Sequence, residues 1–166
     1  MNDGLAQGDT YVLFRLGAEE YGLPVGAVVS IVRFRLPTPV PRASEFVLGV
    51  VNLRGRVLPV IDLGRRFSGE QFVAGPTSRI VVTEGESGAV GIAVDSAHEV
   101  VTFSSESIRP VPEGVLGPES VRAFAGMVER PDGLVVLLDP DETMPRLDTE
   151  IILDPSDAPK EGEPHV

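Results

Sequence analysis

The chain of 166 residues contains no cysteine and no tryptophan. Without thiols there can be no disulfides, thiolate zinc sites, iron–sulfur clusters or cysteine nucleophiles. The absence of cysteine also fits a reducing compartment. Lysine occurs once, as Lys160, so no phosphate-binding glycine loop ending in Lys-Ser/Thr exists. The two histidines, His98 and His165, form no HxxxH or HExxH spacing, and no serine sits in a GxSxG elbow. These gaps argue against an enzyme, a metal site or a cofactor. No apolar run approaches the roughly 18–20 residues that span a bilayer. The first ten residues, MNDGLAQGDT, lack the basic and apolar regions of a signal peptide, so the expectation is a cytoplasmic protein.

Helix signals are scarce as well. Eighteen glycines and fifteen prolines divide the chain into short, valine-rich runs. That pattern predicts a mostly β protein. The expected strands are 10–16, 20–24, 30–35, 47–52, 56–62, 79–83, 89–94, 99–103, 125–129 and 134–138. Short helical turns are expected at 25–30, 63–67 and 117–124. In the strand Arg56–Asp62, apolar residues occupy both faces, which predicts burial on both. Pro59 within it points to an edge or a bulge. Tyr11 and Phe14 fall at core positions.

Two patterns repeat. YGLPVGAVVSIV (21–32) resembles VGIAVDSAHEVV (90–101), with Gly22 and Gly91 at an offset of 69. GVVNLRGRVLPVIDL (49–63) resembles GMVERPDGLVVLLDP (126–140), pairing Gly49 with Gly126 and Asp62 with Asp139 at an offset of 77. The order of elements is the same in both halves, so two similar five-strand units are expected. Each alone would be marginal, so they should pack on each other, with a boundary near 68–78. Closed barrels would protect the sheet edges. Asp62 and Asp139 read as turn caps rather than as an acid–base pair.

The net charge of −11 is unevenly spread. Residues 30–67 hold seven arginines against Glu45 and Asp62, a net +5, while 139–166 hold nine acids against Arg146 and Lys160, a net −7. The acidic total and the few aromatics count against a nucleic-acid-binding β-barrel, the most distant alternative. The basic stretch is either a solvated surface or a receiver for an acidic partner. Residues 1–9 read as a flexible N-terminus and 145–166 as an acidic, disordered tail. Within the tail, Ile151–Leu153 either docks on the body or serves as a short partner-binding segment.

The stretches YGLPVGAVVSIVRF, PTPVPRASEFVLGVVNLRGRVLPVIDLGRRF and GVLGPESVRAFAGMVERPDGLVVLLDPDE resemble the CheW family of chemotaxis adaptors across residues 10–144. The most specific piece is NLRGRVLPVIDL following PVP. The resemblance implies two SH3-like five-stranded β-barrel subdomains on a shared core, with few short helices. It also implies a non-catalytic adaptor without cofactors, linking the cytoplasmic tip of chemoreceptors to the regulatory domain of a CheA-type histidine kinase. No nucleic acid and no direct membrane insertion are implied. A scaffold in a non-chemotactic kinase pathway, such as motility or development, is the alternative. The family's receptor contact maps onto Val28, Ser30, Ile31, Asn52, Leu53, Arg54 and Gly55. The family often carries an acid before the isoleucine; Ser30 stands there in this chain, which alters the electrostatic contact.

Taken without the resemblance, Val28 and Ile31 read as core, and Gly55 as a turn glycine with positive φ. A turn does not need the arginine at 54. That residue either pairs internally with Asp62 or Glu45, or faces a partner.

Overall fold

A computed structural model describes residues 9–67, 71–85, 88–112 and 122–143. Ten strands run in chain order: β1 (Asp9–Leu16), β2 (Glu19–Pro24), β3 (Val28–Arg33), β4 (Val47–Leu53), β5 (Arg56–Ile61), β6 (Arg79–Gly85), β7 (Gly88–Val94), β8 (Ser96–Phe103), β9 (Phe124–Arg130) and β10 (Gly133–Leu138). Each matches one of the ten expected strands to within three residues at either end. Two short helices are α1 (Leu63–Phe67) and α2 (Pro140–Thr143).

The strands form two five-stranded sheets, ordered β8-β1-β2-β10-β9 and β3-β6-β7-β5-β4. Neither sheet comes from one half of the sequence. The first two strands of each repeat join the last three of the other. Each sheet is joined between repeats twice: by an antiparallel ladder, β1–β8 or β3–β6, and by a short parallel pair, Val136 with Tyr21 and Leu137 with Gly22 in one, Val60 with Gly91 and Ile61 with Ile92 in the other. The boundary expected near 68–78 therefore separates two sequence repeats but not two sheets. A hydrophobic period of two reveals each strand, but nothing in it specifies which repeat supplies the neighbour.

The exchange creates three cores. Tyr11, Leu13, Phe103, Val128, Val135 and Leu137 fill the first sheet's interior. Val51, Leu58, Val60, Ile80, Val82 and Ala93 fill the second's. Between them lies a shared cluster including Phe14, Tyr21, Leu23, Ile61, Val81, Ile92 and Leu138. Strand β5 serves two of these, with Leu58 and Val60 inward and Ile61 toward the shared core, as its two apolar faces predicted. The exception is Val57, 63% exposed at the strand's start.

Pro59 does not mark an edge, because β5 lies inside the sheet between β7 and β4; the β4–β5 register does shift one pair away, between Val47 and Gly49 on the partner strand. Pro59 stands opposite Val50, whose N–H and carbonyl both bond to Thr38 at 2.8 Å instead. The ladder to β7 begins only at Val60. No neighbour requires a donor from residue 59, so proline is tolerated there.

The same Thr38–Val50 bridge, with its repeat counterpart Arg109–Met127, carries the chain beyond β3 and β8 back onto the far edge of each sheet. Gly49 has φ +146°, and a Cβ there would collide with the Thr38 carbonyl. At Gly126 a Cβ would meet Ile108 and the Arg109 carbonyl. Both repeated glycines thus mark the closure.

Of the expected helical turns, 63–67 is α1. Asp62 caps it, accepting from Arg65 N–H at 3.1 Å and from Phe72 N–H at 2.7 Å. Asp139 caps α2 through Asp141 and Glu142. Both act as turn caps, as expected. In 25–30 only Val25–Ala27 form a 3₁₀ turn, because β3 takes the rest. The turn at 117–124 lies mostly outside the described residues, as does the tail from 144.

Gly133 shares Gly49's φ of +146° but has open space around it. Alanine at either position pays the same backbone strain, and only Gly49→Ala adds a steric clash. Urea unfolding should find Gly49→Ala less stable than Gly133→Ala by about 1–3 kcal/mol. Equal losses would mean that the closure is loose.

Candidate functional site

Strand β3 is an edge strand, and its outward side chains are Val29, Ile31 and Arg33. Val29 is 56% and Ile31 40% exposed. Ile31 is therefore surface rather than core. Val28 is half-buried against the shared cluster, and Ser30 is exposed. The mixed exposure has a geometric cause. A barrel strand has one inner and one outer face, and at an edge the outer face meets only water. Beyond β3, Leu36 is 86% exposed.

The Asn52–Gly55 segment forms the turn of the β4–β5 hairpin. Arg54 has φ 55° and Gly55 φ 86°. Two positive φ values over a two-residue loop describe a type I′ turn, which favours Asn-Gly. Asn52 Oδ1 accepts from Gly55 N–H at 3.0 Å and steadies the loop. Leu53 packs onto the second sheet's core. Arg54 is exposed, and among the described residues nothing pairs with its guanidinium. Asp62 is 1% exposed and occupied by backbone N–H groups. Glu45 lies 3.4 Å from Arg65. Neither internal partner considered for Arg54 is used. The turn holds an arginine in a conformation that costs it energy, with no internal contact in return.

Arg35 links the two segments. Its Nη1 donates to the Asn52 carbonyl at 3.1 Å. The seven residues expected at the site thus lie along one edge strand and one hairpin turn, joined through a side chain the sequence reading did not include.

That reading also missed the counterparts of these positions. Val100 on β8, equivalent to Ile31 at offset 69, is 61% exposed. Leu134 on β10, equivalent to Val57 at offset 77, is 45% exposed. The repeat offsets carried the signal: an apolar residue at the same outward position twice.

A polar network lies on the other sheet. His98 Nε2 stands 2.8 Å from Glu20 Oε2, and Arg130 donates twice to Glu99, at 3.1 and 3.3 Å. One oxygen or nitrogen from each of Glu20, His98 and Glu99 lies within 4.8 Å of the others. Arg130 already neutralises Glu99, so the group reads as a strand clasp. The Arg130 bonds hold the Glu99 carboxyl below its ordinary range.

Two mixed five-stranded sheets exchanged between repeats, with outward apolar edges and no assembled catalytic group among the described residues, define a β scaffold. Residues 10–148 match the family model for the CheW-like domain. A chemotaxis protein CheW of Rhizobium meliloti is 34% identical over 146 residues, covering 86% of this chain and 92% of that protein. One from Bacillus subtilis is 35% identical over 115 residues, 69% of this chain and 74% of its own. The crystal structure of the scaffolding protein TtCheW from Thermoanaerobacter tengcongensis superposes with a TM-score of 0.72 at 31% identity, covering 80% of this chain and 84% of that one. The chain belongs to the CheW-like family, and its role is that of a chemotaxis coupling adaptor.

Two outcomes are expected. Arg54→Asn creates the Asn-Gly pair that a type I′ turn prefers. It should raise stability by about 0.5–1 kcal/mol in chemical denaturation; a loss would reveal a structural role for the arginine. Glu99 has a folded pKa below its unfolded one, so its stabilisation is present at neutral pH. It is lost as pH falls below about 4.5, the ordinary carboxylate value. Stability measured against pH should therefore drop more steeply on the acid side in the wild type than in Glu99→Gln.

Proposed function

We propose that the chain bridges the cytoplasmic tip of chemoreceptors and the regulatory domain of a CheA-type histidine kinase, acting by contact alone. The observation that carries this reading is the edge of the second sheet. Outward Val29 and Ile31 supply an apolar strip, and Arg54 supplies a charge held out in a strained turn. A receptor tip presenting a helical surface of mixed character would meet both. Val28 supports the strip from beneath, Asn52 and Gly55 shape the turn, and Leu53 anchors it. With Ser30 uncharged, the contact rests on apolar area and on Arg54.

The kinase would be met elsewhere. Val57 and Leu134 begin equivalent strands in the two sheets, so the molecule presents two related apolar patches. A body with two related patches can join neighbours on both sides, as closure into rings requires. Leu134 offers the patch from the second repeat. The protein would then sit at the receptor array through its partners; among the described residues no helix is long and apolar enough to cross a membrane.

Binding of purified protein to a receptor cytoplasmic fragment and to the kinase regulatory domain tests this. Ile31→Ser and Arg54→Asn should each weaken receptor binding roughly tenfold, about 1.4 kcal/mol, without weakening kinase binding. Leu134→Ser should do the reverse. If intact wild type binds neither fragment, the reading fails.

A further inference from the structure

Arg33 and Arg79 stand directly opposite each other in the β3–β6 register. Like charges in that position repel. Arg35 follows Arg33 two residues on, and its guanidinium reaches the Asn52 carbonyl of the turn that carries Arg54. Among the described residues the Arg79 side chain bonds to the Ser78 carbonyl, at 2.9 Å. Among the described residues none of these four arginines has a carboxylate partner, whereas Arg56, Arg65 and Arg130 each have one. The exposed apolar residues Ile31 and Leu36 flank them. This face is a basic patch bordered by aliphatic surface, in a chain whose net charge is −11.

The complementary segment is in the same chain. DTEIILDPSD, residues 148–157, carries Asp148, Glu150, Asp154 and Asp157 around Ile151–Leu153, with no base. We propose that this segment docks on the chain's own arginine face, its carboxylates meeting Arg33, Arg35, Arg54 and Arg79 and its aliphatic trio covering Ile31 and Leu36.

The route is short. Helix α2 packs against β6, and Arg66 donates to the Thr143 carbonyl, fixing the point from which the chain leaves. Five Cα-to-Cα steps lead from Thr143 to Asp148, a reach of up to about 17 Å. Strand β3 lies beside β6, about 4.8 Å away. Tethering places the segment at millimolar effective concentration, so a weak contact suffices. The docked segment covers Ile31 and Arg54, so a partner using that edge has to displace it. The docking itself does not depend on what that partner is.

The absence of cysteine makes a direct test available. A nitroxide on Ser156→Cys in the 166-residue chain reports on amides near it. The amide signals of Ile31, Arg33, Arg35 and Arg54 should be lost, and should return on reduction of the label. They should also return in about 1 M salt, where screening falls to about 3 Å. They should survive in labelled Asp148→Asn/Glu150→Gln/Asp154→Asn/Asp157→Asn, and elsewhere the spectrum should not change. Broadening that is absent, uniform, or centred on the first sheet would overturn the proposal. So would broadening transferred to an isotope-labelled, nitroxide-free copy in a mixed sample, which would place the segment on a second molecule.

Discussion

The parallel pairs β2–β10 and β5–β7 are the constraint on which the rest depends. Each is short, and each joins strands from different repeats. Together with the antiparallel ladders β1–β8 and β3–β6, which also cross between repeats, they mean that neither sheet can form until both halves of the chain are present, and the shared core of Phe14, Tyr21, Ile61 and Ile92 has residues from both. Tyr21 sits at a joint, paired with Val136, and contacts Phe14, Phe67 and Phe124. Removing either joint would split its sheet into a three-stranded and a two-stranded piece and expose the shared core between them.

The exchange also decides what the surface shows. With β2, β10, β5 and β7 held inside, the strands left at the margins are β3 and β4 in one sheet and β8 and β9 in the other. The Thr38–Val50 and Arg109–Met127 bridges occupy part of those margins, so they do not offer long open ladders to other chains. What remains exposed is side-chain surface: Val29 and Ile31, Val100, Val57 and Leu134. A coupling adaptor needs such surfaces on a body that does not deform when bound, and the three packed cores supply that rigidity.

Much of this was legible beforehand, and the reasons are specific. Alternation in GVVNLRGRVLPVIDL and its copy revealed the hairpins, since side chains alternate on any strand. The glycines at 49 and 126 were visible as a repeat, though the carbonyl contacts that require them were not. The NLRG turn was visible, and its geometry then showed Arg54 to have no partner among the described residues. Strand partnership was not legible, because identical patterns in two repeats make either pairing equally apolar. Nor was the exposure of Ile31, since an outward residue on an edge strand has the same composition as an inward one. Pro59 misled as to an edge because the rule for proline in a sheet assumes that every neighbour wants a donor, and here Thr38 satisfies Val50 beside the register shift at Val47–Gly49.

The central claim is that the exchanged repeats form one cooperative body. Native-state hydrogen exchange measures this most directly, comparing protected amides in β1 and β2 with those in β6 and β7. One body predicts that the slowest amides of both sheets exchange with the same free energy, equal to that of global unfolding, and respond alike to denaturant. If one sheet opened at a distinctly lower free energy while the other stayed protected, the sheets would be independent and the account would be contradicted.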